Sequence, residues 1–273
     1  MGIRKKGYYR WEGALSDHPL RWFPIFTHGI KGVFQKRRAK LLFVLCSVLF
    51  LVFLGAIYVS TKPELKMLSD LVKIIQSDAA IFYHFYINPF MIFSLILLAI
   101  FSGSDLISQD IQYHSITLYM SRPLSRLDYL GGKFSIVLFY LLLYTLLPGI
   151  LLILAKIIFT GQLTISFYLL VATLVFPLLY TLFFASAILL ASSLSRNNRF
   201  VILMFLLLFF ATQPVAKILE SIFKSDFFNY ISITENLRQF GALVFNQNSV
   251  FDAPMWPSAA IICTLTALFT YLI

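Results

Sequence analysis

Charge is scarce in this chain, and reactive groups are scarcer. Only 12% of its 273 residues are charged while 59% are hydrophobic, well above the roughly 45–50% apolar content of soluble domains. The few charges lie between long apolar runs, so a water-surrounded globule is excluded and an all-α polytopic membrane protein is expected. The two cysteines, Cys46 and Cys263, sit inside apolar runs without metal-ligand spacing, which points to packing. Deep in the runs there are no carboxylates, so the ionisable relay of a proton- or sodium-coupled carrier is missing. No glycine-rich loop ends in Gly-Lys-Ser/Thr, no His-Glu-x-x-His occurs, and His18, His28, His84 and His114 are scattered. The chain is therefore expected to be no enzyme, without catalytic, cofactor-binding or metal sites. The N-terminal stretch lacks the apolar core and small-residue cleavage site of a signal peptide, so its start is expected to be retained.

What is present is grease in six blocks, expected to form six transmembrane helices. Apolar runs extend from Leu41 to Val59, Ile81 to Phe101, Phe134 to Phe159, Ile165 to Ala191, Phe200 to Ala211 or beyond, and Pro257 to Ile273. Most are long enough to cross a hydrocarbon core of roughly 30 Å at about 1.5 Å per residue. His84 and Asn88 fall in the early turns of the second run, within reach of the interface. Pro148, Pro177 and Pro214 predict kinks, because neighbouring helices re-satisfy the freed carbonyls.

The formal charge of +10 is unevenly placed. With the N-terminus inside, the inner segments hold Arg4, Lys5, Lys6, Arg10, Arg21, Lys31, Lys36, Arg37, Arg38, Lys40, Arg122, Arg126, Lys133, Arg196 and Arg199. The outer segments balance seven cations against Glu64, Asp70, Asp78, Glu220, Asp226, Glu235 and Asp252. Positive loops stay in the cytoplasm, so an inner-membrane protein with a cytoplasmic N-terminus is expected. Membrane lipid explains the basic excess, and nucleic acid is not expected as a partner.

Residues 1–40 read as a cytoplasmic arm and an amphipathic elbow helix, followed by a transmembrane domain over 41–273. In the elbow Trp22, Phe26, Ile30, Val33 and Phe34 recur at helical spacing, Pro24 suits the first turn, and Lys31, Lys36, Arg37 and Arg38 gather at the end. Such a helix lies in the interface and anchors the first span or meets a partner. An outer loop over 212–256 predicts two short interfacial helices, around Ile218, Leu219, Ile222 and Phe223 and around Leu237, Phe240, Leu243 and Val244. Their apolar faces dip into the leaflet or cap a cavity, and Pro254 and Pro257 end the region.

The most patterned stretch is the segment over 102–133. From Asp105 to Met120 the spacing predicts a helix with Ile107, Ile111 and Leu118 on one face and Asp110 and Thr117 on or beside it, suited to a protein groove. Pro123 stops it. Ser125 followed by Asp128 predicts a capping box opening the third span, with Asp in place of the usual Glu.

This stretch resembles permease subunits of ABC-2 type exporters, in which the second span is followed by Leu-Ile-x-x-Glu, Thr-Leu, Leu-Ser-x-Pro-x-Ser-Arg and Leu-x-Gly-Lys. The counterparts are Leu106, Ile107 and Asp110, Ser115 to Leu118, Ser121 to Arg126, and Leu130 to Lys133. Asp110 stands where Glu is usual, and His114 where Gly is common. The small six-span permeases of gliding-motility and nitrous-oxide-reductase maturation transporters are the most similar in layout. The resemblance implies two permease copies, each docking a cytoplasmic ATPase that carries ATP and Mg²⁺. The docking residues it implies are Asp105, Asp110, Tyr113, His114, Ser121, Arg122, Pro123 and Arg126, with Lys31, Lys36, Arg37 and Arg38 of the elbow. Export of a lipid-like or amphipathic cargo is one expectation. Mechanical action on an envelope or periplasmic protein without cargo is the alternative.

Overall fold

The computed structural model describes residues 20–35, 37–61, 77–120, 124–161 and 167–273. Helix α1 (Phe23–Gln35) leads into α2 (Arg37–Thr61), then α3 (Asp78–Ile87) and α4 (Pro89–Gly103). Two short helices, α5 (Ser108–Gln112) and α6 (Ser115–Met120), precede the longest, α7 (Arg126–Thr160), which is followed by α8 (Phe167–Leu194). The chain continues through α9 (Asn198–Phe210), α10 (Thr212–Phe223), a 3₁₀ turn (Asp226–Ile231), α11 (Ile233–Val244) and α12 (Trp256–Leu272). Among the described residues, five stretches are long and apolar enough to cross a membrane: Lys40–Thr61, Pro89–Gln112, Arg126–Thr160, Phe167–Leu194 and Asn198–Phe223. A shorter apolar helix covers Trp256–Leu272.

One expected span is divided and another is extended. The second run breaks at Asn88, because Pro89 has no N–H and confines the residue before it to extended geometry. Asn88 adopts ψ 132°, and its side chain accepts from the Phe90 N–H at 2.9 Å, capping the new helix. The fifth run pauses at Ala211 and resumes as α10, so this helix, expected in an outer loop, extends a span. The Val215 N–H still reaches the Ala211 carbonyl at 3.4 Å.

Inside the bundle several serine and threonine hydroxyls serve their own helices. Ser94 donates to Phe90 O, Thr145 to Leu141 O, Thr173 to Leu169 O and Thr181 to Pro177 O. Such back-bonding satisfies polar groups where lipid supplies no partner. Aromatic rings line α8 and its contacts: Phe176 stacks on Tyr180 of the same helix at 5.2 Å, and Phe184 on Phe209 of α9 at 4.9 Å. At Gly149, on α7, the missing side chain makes room for the Tyr86 hydroxyl, which would lie 1.9 Å from an added Cβ. That hydroxyl donates to the Thr173 carbonyl at 3.5 Å, so one tyrosine of α3 joins α7 to α8.

At the end of the bundle opposite α1, α11 is largely buried. Phe240 packs on Phe176 at 5.5 Å and Phe245 stacks on Tyr86 at 5.9 Å. Glu235, 6% exposed, accepts from Arg238 at 3.2 Å and from Gln213 at 3.3 Å. The Gln239 amide donates to Ala253 O and accepts from the Val250 N–H, and the Tyr230 hydroxyl donates to Pro254 O at 2.5 Å. Partial burial pushes the Tyr230 phenol above its ordinary pKa. By contrast α10 leaves Val215, Ile218, Ile222 and Phe223 exposed. One helix of this region is thus a plug in the bundle, and the other bares a greasy stripe.

Candidate functional site

At the α1 end, α7 begins with a reciprocal cap. The Ser125 hydroxyl accepts from Asp128 N and the Asp128 carboxylate accepts from Ser125 N, each at 3.1 Å, which satisfies two orphan donors of the first turn. With 35 residues at about 1.5 Å each, α7 exceeds a hydrocarbon core of roughly 30 Å. This surplus length lets its first turns carry polar residues.

Lys133 uses that position. Its ammonium lies 2.8 Å from the Asp110 carboxylate and donates to Leu106 O at 3.0 Å. It also stands 5.7 and 5.5 Å from the ring centres of Tyr119 and Tyr129, within cation–π range. Tyr129 completes the cluster by donating to the same Asp110 oxygen at 2.7 Å. One lysine of α7 thereby grips the segment before α5, α5 itself and α6. A second pin comes from α8, where the Ser192 hydroxyl accepts from the N–H groups of Ile107 and Ser108 at 3.1 and 3.0 Å and donates to Ser104 O at 3.0 Å.

The distal part of this hairpin is exposed. The expected single helix from Asp105 to Met120 is instead two, divided at Tyr113 and His114, because His114 adopts a left-handed φ of 55° that a continuing helix cannot hold. Ile107 is consequently buried at 4%, while Leu118 is 71% and Tyr113 70% exposed. The supposed common face of Ile107, Ile111 and Leu118 does not exist.

The site residues expected from the sequence therefore separate. Asp110 turns inward to Lys133, and Asp105 is half-buried on the same segment. Tyr113, His114 and Arg126 are exposed. Ser121, Arg122, Pro123 and Lys36 lie outside the described residues, as does the side chain of Arg38. Lys31 and Arg37 are exposed on α1 and at the start of α2. Tyr129 and Ser192 are not among the site residues expected from the sequence, and Lys133 enters there only as the last residue of the Leu130 to Lys133 motif. A lysine at the head of a long apolar helix needs a buried counter-charge, which was the available signal for Lys133.

Helix α1 lies against the head of α7. An added Cβ at Gly29 would stand 2.1 Å from Ile136, and one at Gly132 would stand 3.0 Å from Ile25, so both glycines permit close approach. Phe26 meets Phe139 edge-on at 5.8 Å, and the Tyr140 hydroxyl donates to the Ile30 carbonyl. Between α1, the hairpin and α7 remains a cleft of about 770 Å³ whose lining includes Arg21, His28, Gly32, Asp105, Gln109 and Leu118.

Nothing in this cluster has the form of a nucleophile with its base; it is a braced hairpin with a bare tip. Among the described residues no group of three or more His, Cys, Asp or Glu could hold a metal ion. No curated protein matches the chain. A family model described as ABC-2 family transporter protein matches residues 30–272, nearly the whole chain, including the hairpin and α7. The chain belongs to the ABC-2 family of transporter proteins, as a membrane-embedded permease subunit of an ABC transporter.

Proposed function

We propose that the α5–α6 hairpin is the element through which a separate cytoplasmic ATPase drives this permease. The observation that carries this reading is the contrast between its two ends: the root is held by Lys133 and Ser192, while Tyr113 and Leu118 stand bare at the tip. A lever needs both, since a load applied to a loose loop would be lost in local motion. In this reading α1 and its cations lie on the cytoplasmic leaflet, as their positive charge favours. Two copies pair, and nucleotide and Mg²⁺ stay on the ATPase. Closure of the ATPases rocks α4, α7 and α8 together, because the hairpin is joined to all three.

The cargo is lipid-like or amphipathic. Support comes from an apolar groove of about 410 Å³ along the flank of α7, lined by Phe139, Leu143, Leu146 and Leu151 among others. Such a surface suits acyl chains.

Purification of the tagged chain from native membranes, followed by assay of co-purifying ATPase activity, tests the docking. Tyr113→Asp should remove that activity without changing the amount of folded permease. Unchanged activity would refute it. Reconstitution with a fluorescent short-chain phospholipid then separates the roles: ATP-dependent translocation supports export, whereas ATP-dependent action on a bound envelope protein without translocation would establish mechanical transmission.

A further inference from the structure

The cleft behind the hairpin has features that ATPase docking does not use. One wall is α1, an amphipathic helix with Phe23 47% exposed and Leu20, just before it, 54% exposed, so the mouth of the cleft lies at headgroup depth when α1 rests on the membrane. Its floor is apolar, formed by Ile25, Val33 and Ile136. Above that floor Arg21 and His28 line the α1 side; Arg21 also lies within electrostatic reach of Asp128. From Leu20 to Thr61 the sequence contains no Asp or Glu, and Arg21, Lys31, Arg37 and Lys40 are exposed there. Carboxylates occur only on the opposite wall, and of these Asp110 is matched by Lys133 at 2.8 Å. At about 770 Å³ the cleft falls within the roughly 300–1,000 Å³ range of organic-ligand sites.

We infer that this cleft holds one anionic phospholipid of the leaflet on which α1 rests. The phosphate sits against Arg21 and His28, and an acyl chain runs over Ile25, Val33 and Ile136. Because Leu118 forms part of the opposite wall, the lipid is a wedge between α1 and the hairpin and sets how far the hairpin stands from the bundle. Bound lipid thus makes docking sensitive to membrane composition. The site itself does not depend on the identity of the docking partner.

Gly32 provides a clean probe, since a Cβ there would meet nothing within 4 Å and a large side chain would fill the cleft while preserving every charge. The full chain is placed in nanodiscs of phosphatidylcholine and phosphatidylglycerol, and lipid retained on release is counted by native mass spectrometry. Wild type and Gly32→Ala should retain phosphatidylglycerol in preference to phosphatidylcholine, and Gly32→Phe should lose it. Arg21→Gln should weaken retention about fivefold, the equivalent of about 1 kcal/mol per surface cation. Scanning fluorimetry of each variant confirms that the fold is intact. Equal phosphatidylglycerol retention by Gly32→Phe, or no lipid preference in wild type, overturns the proposal. Loss of ATPase co-purification in Gly32→Phe with lipid retention unchanged would assign the cleft to the protein partner instead.

Discussion

Lys133 and Asp110 form a nearly buried ion pair, 2.8 Å apart, with side chains 9% and 14% exposed. The pair joins the head of α7 to the α5–α6 hairpin, and the Tyr129 hydroxyl supplies a further bond to the same carboxylate. Taking two charges out of water costs nearly what their attraction returns, so the pair itself adds little net stability. Removing one member is different, because it strands the other.

Lys133→Met should therefore destabilise the protein by about 3 kcal/mol, the low end of the range for breaking a buried pair. Asp110→Asn combined with Lys133→Met should recover most of that loss. Thermal unfolding of the detergent-solubilised chain measures both. If the double variant is no more stable than the single one, the two residues do not act as a unit.

His114 predicts a gain. A non-glycine residue in the left-handed region costs about 1–2 kcal/mol, and glycine loses about 0.5–1 kcal/mol more backbone entropy on folding. His114→Gly should accordingly stabilise by about 0.5 kcal/mol, while His114→Val should destabilise, since a β-branched residue tolerates φ 55° poorly. Melting temperatures of the three proteins should rank Gly, His, Val. A wild type more stable than the glycine variant would show that the histidine ring makes a compensating contact.

Gly149→Ala places a methyl group 1.9 Å from the Tyr86 hydroxyl, so α3 or α7 must move. A loss of about 1–3 kcal/mol is expected for overpacking of this kind. Adding Tyr86→Phe should restore part of it, and only part, because the ring carbon bearing that hydroxyl stands 3.1 Å from the same point. Comparison of the unfolding transitions of the single and double variants tests the contact.

Ser192→Ala leaves the N–H groups of Ile107 and Ser108 without their shared acceptor. The penalty for stranding such donors is about 1–3 kcal/mol, concentrated at the hairpin root. Hydrogen–deuterium exchange should rise at residues 104–112 and stay unchanged in the middle of α8. Uniform exchange across both regions would mean that Ser192 is not a pin.

Much of this was legible in the residues. The apolar runs marked the spans because lipid offers no partner for the backbone, so a helix there must satisfy itself within its own segment. Ser125 and Asp128 announced their capping box because every atom involved lies within four residues. Pro89 was an equally local signal for the break at Asn88, obscured by the continuous hydrophobicity on either side. At His114 the expected pattern held the clue: a position where the resemblance leads one to expect glycine suits the φ of 55° that divides the helix expected from Asp105 to Met120.

The direction of Asp110 was not legible. Read along its own segment it is an acid beside an apolar face, equally suited to solvent or to a partner. Its inward turn depends on Lys133 arriving from another helix, and likewise the hairpin root depends on Ser192 arriving from α8. The sequence alone determined a helical membrane protein with an amphipathic lead-in, because desolvation of the backbone and burial of apolar surface are properties of each segment by itself. Tertiary structure alone decided which polar groups brace the hairpin and which remain at its tip, because a buried charge can be placed only where a group distant in the chain meets it.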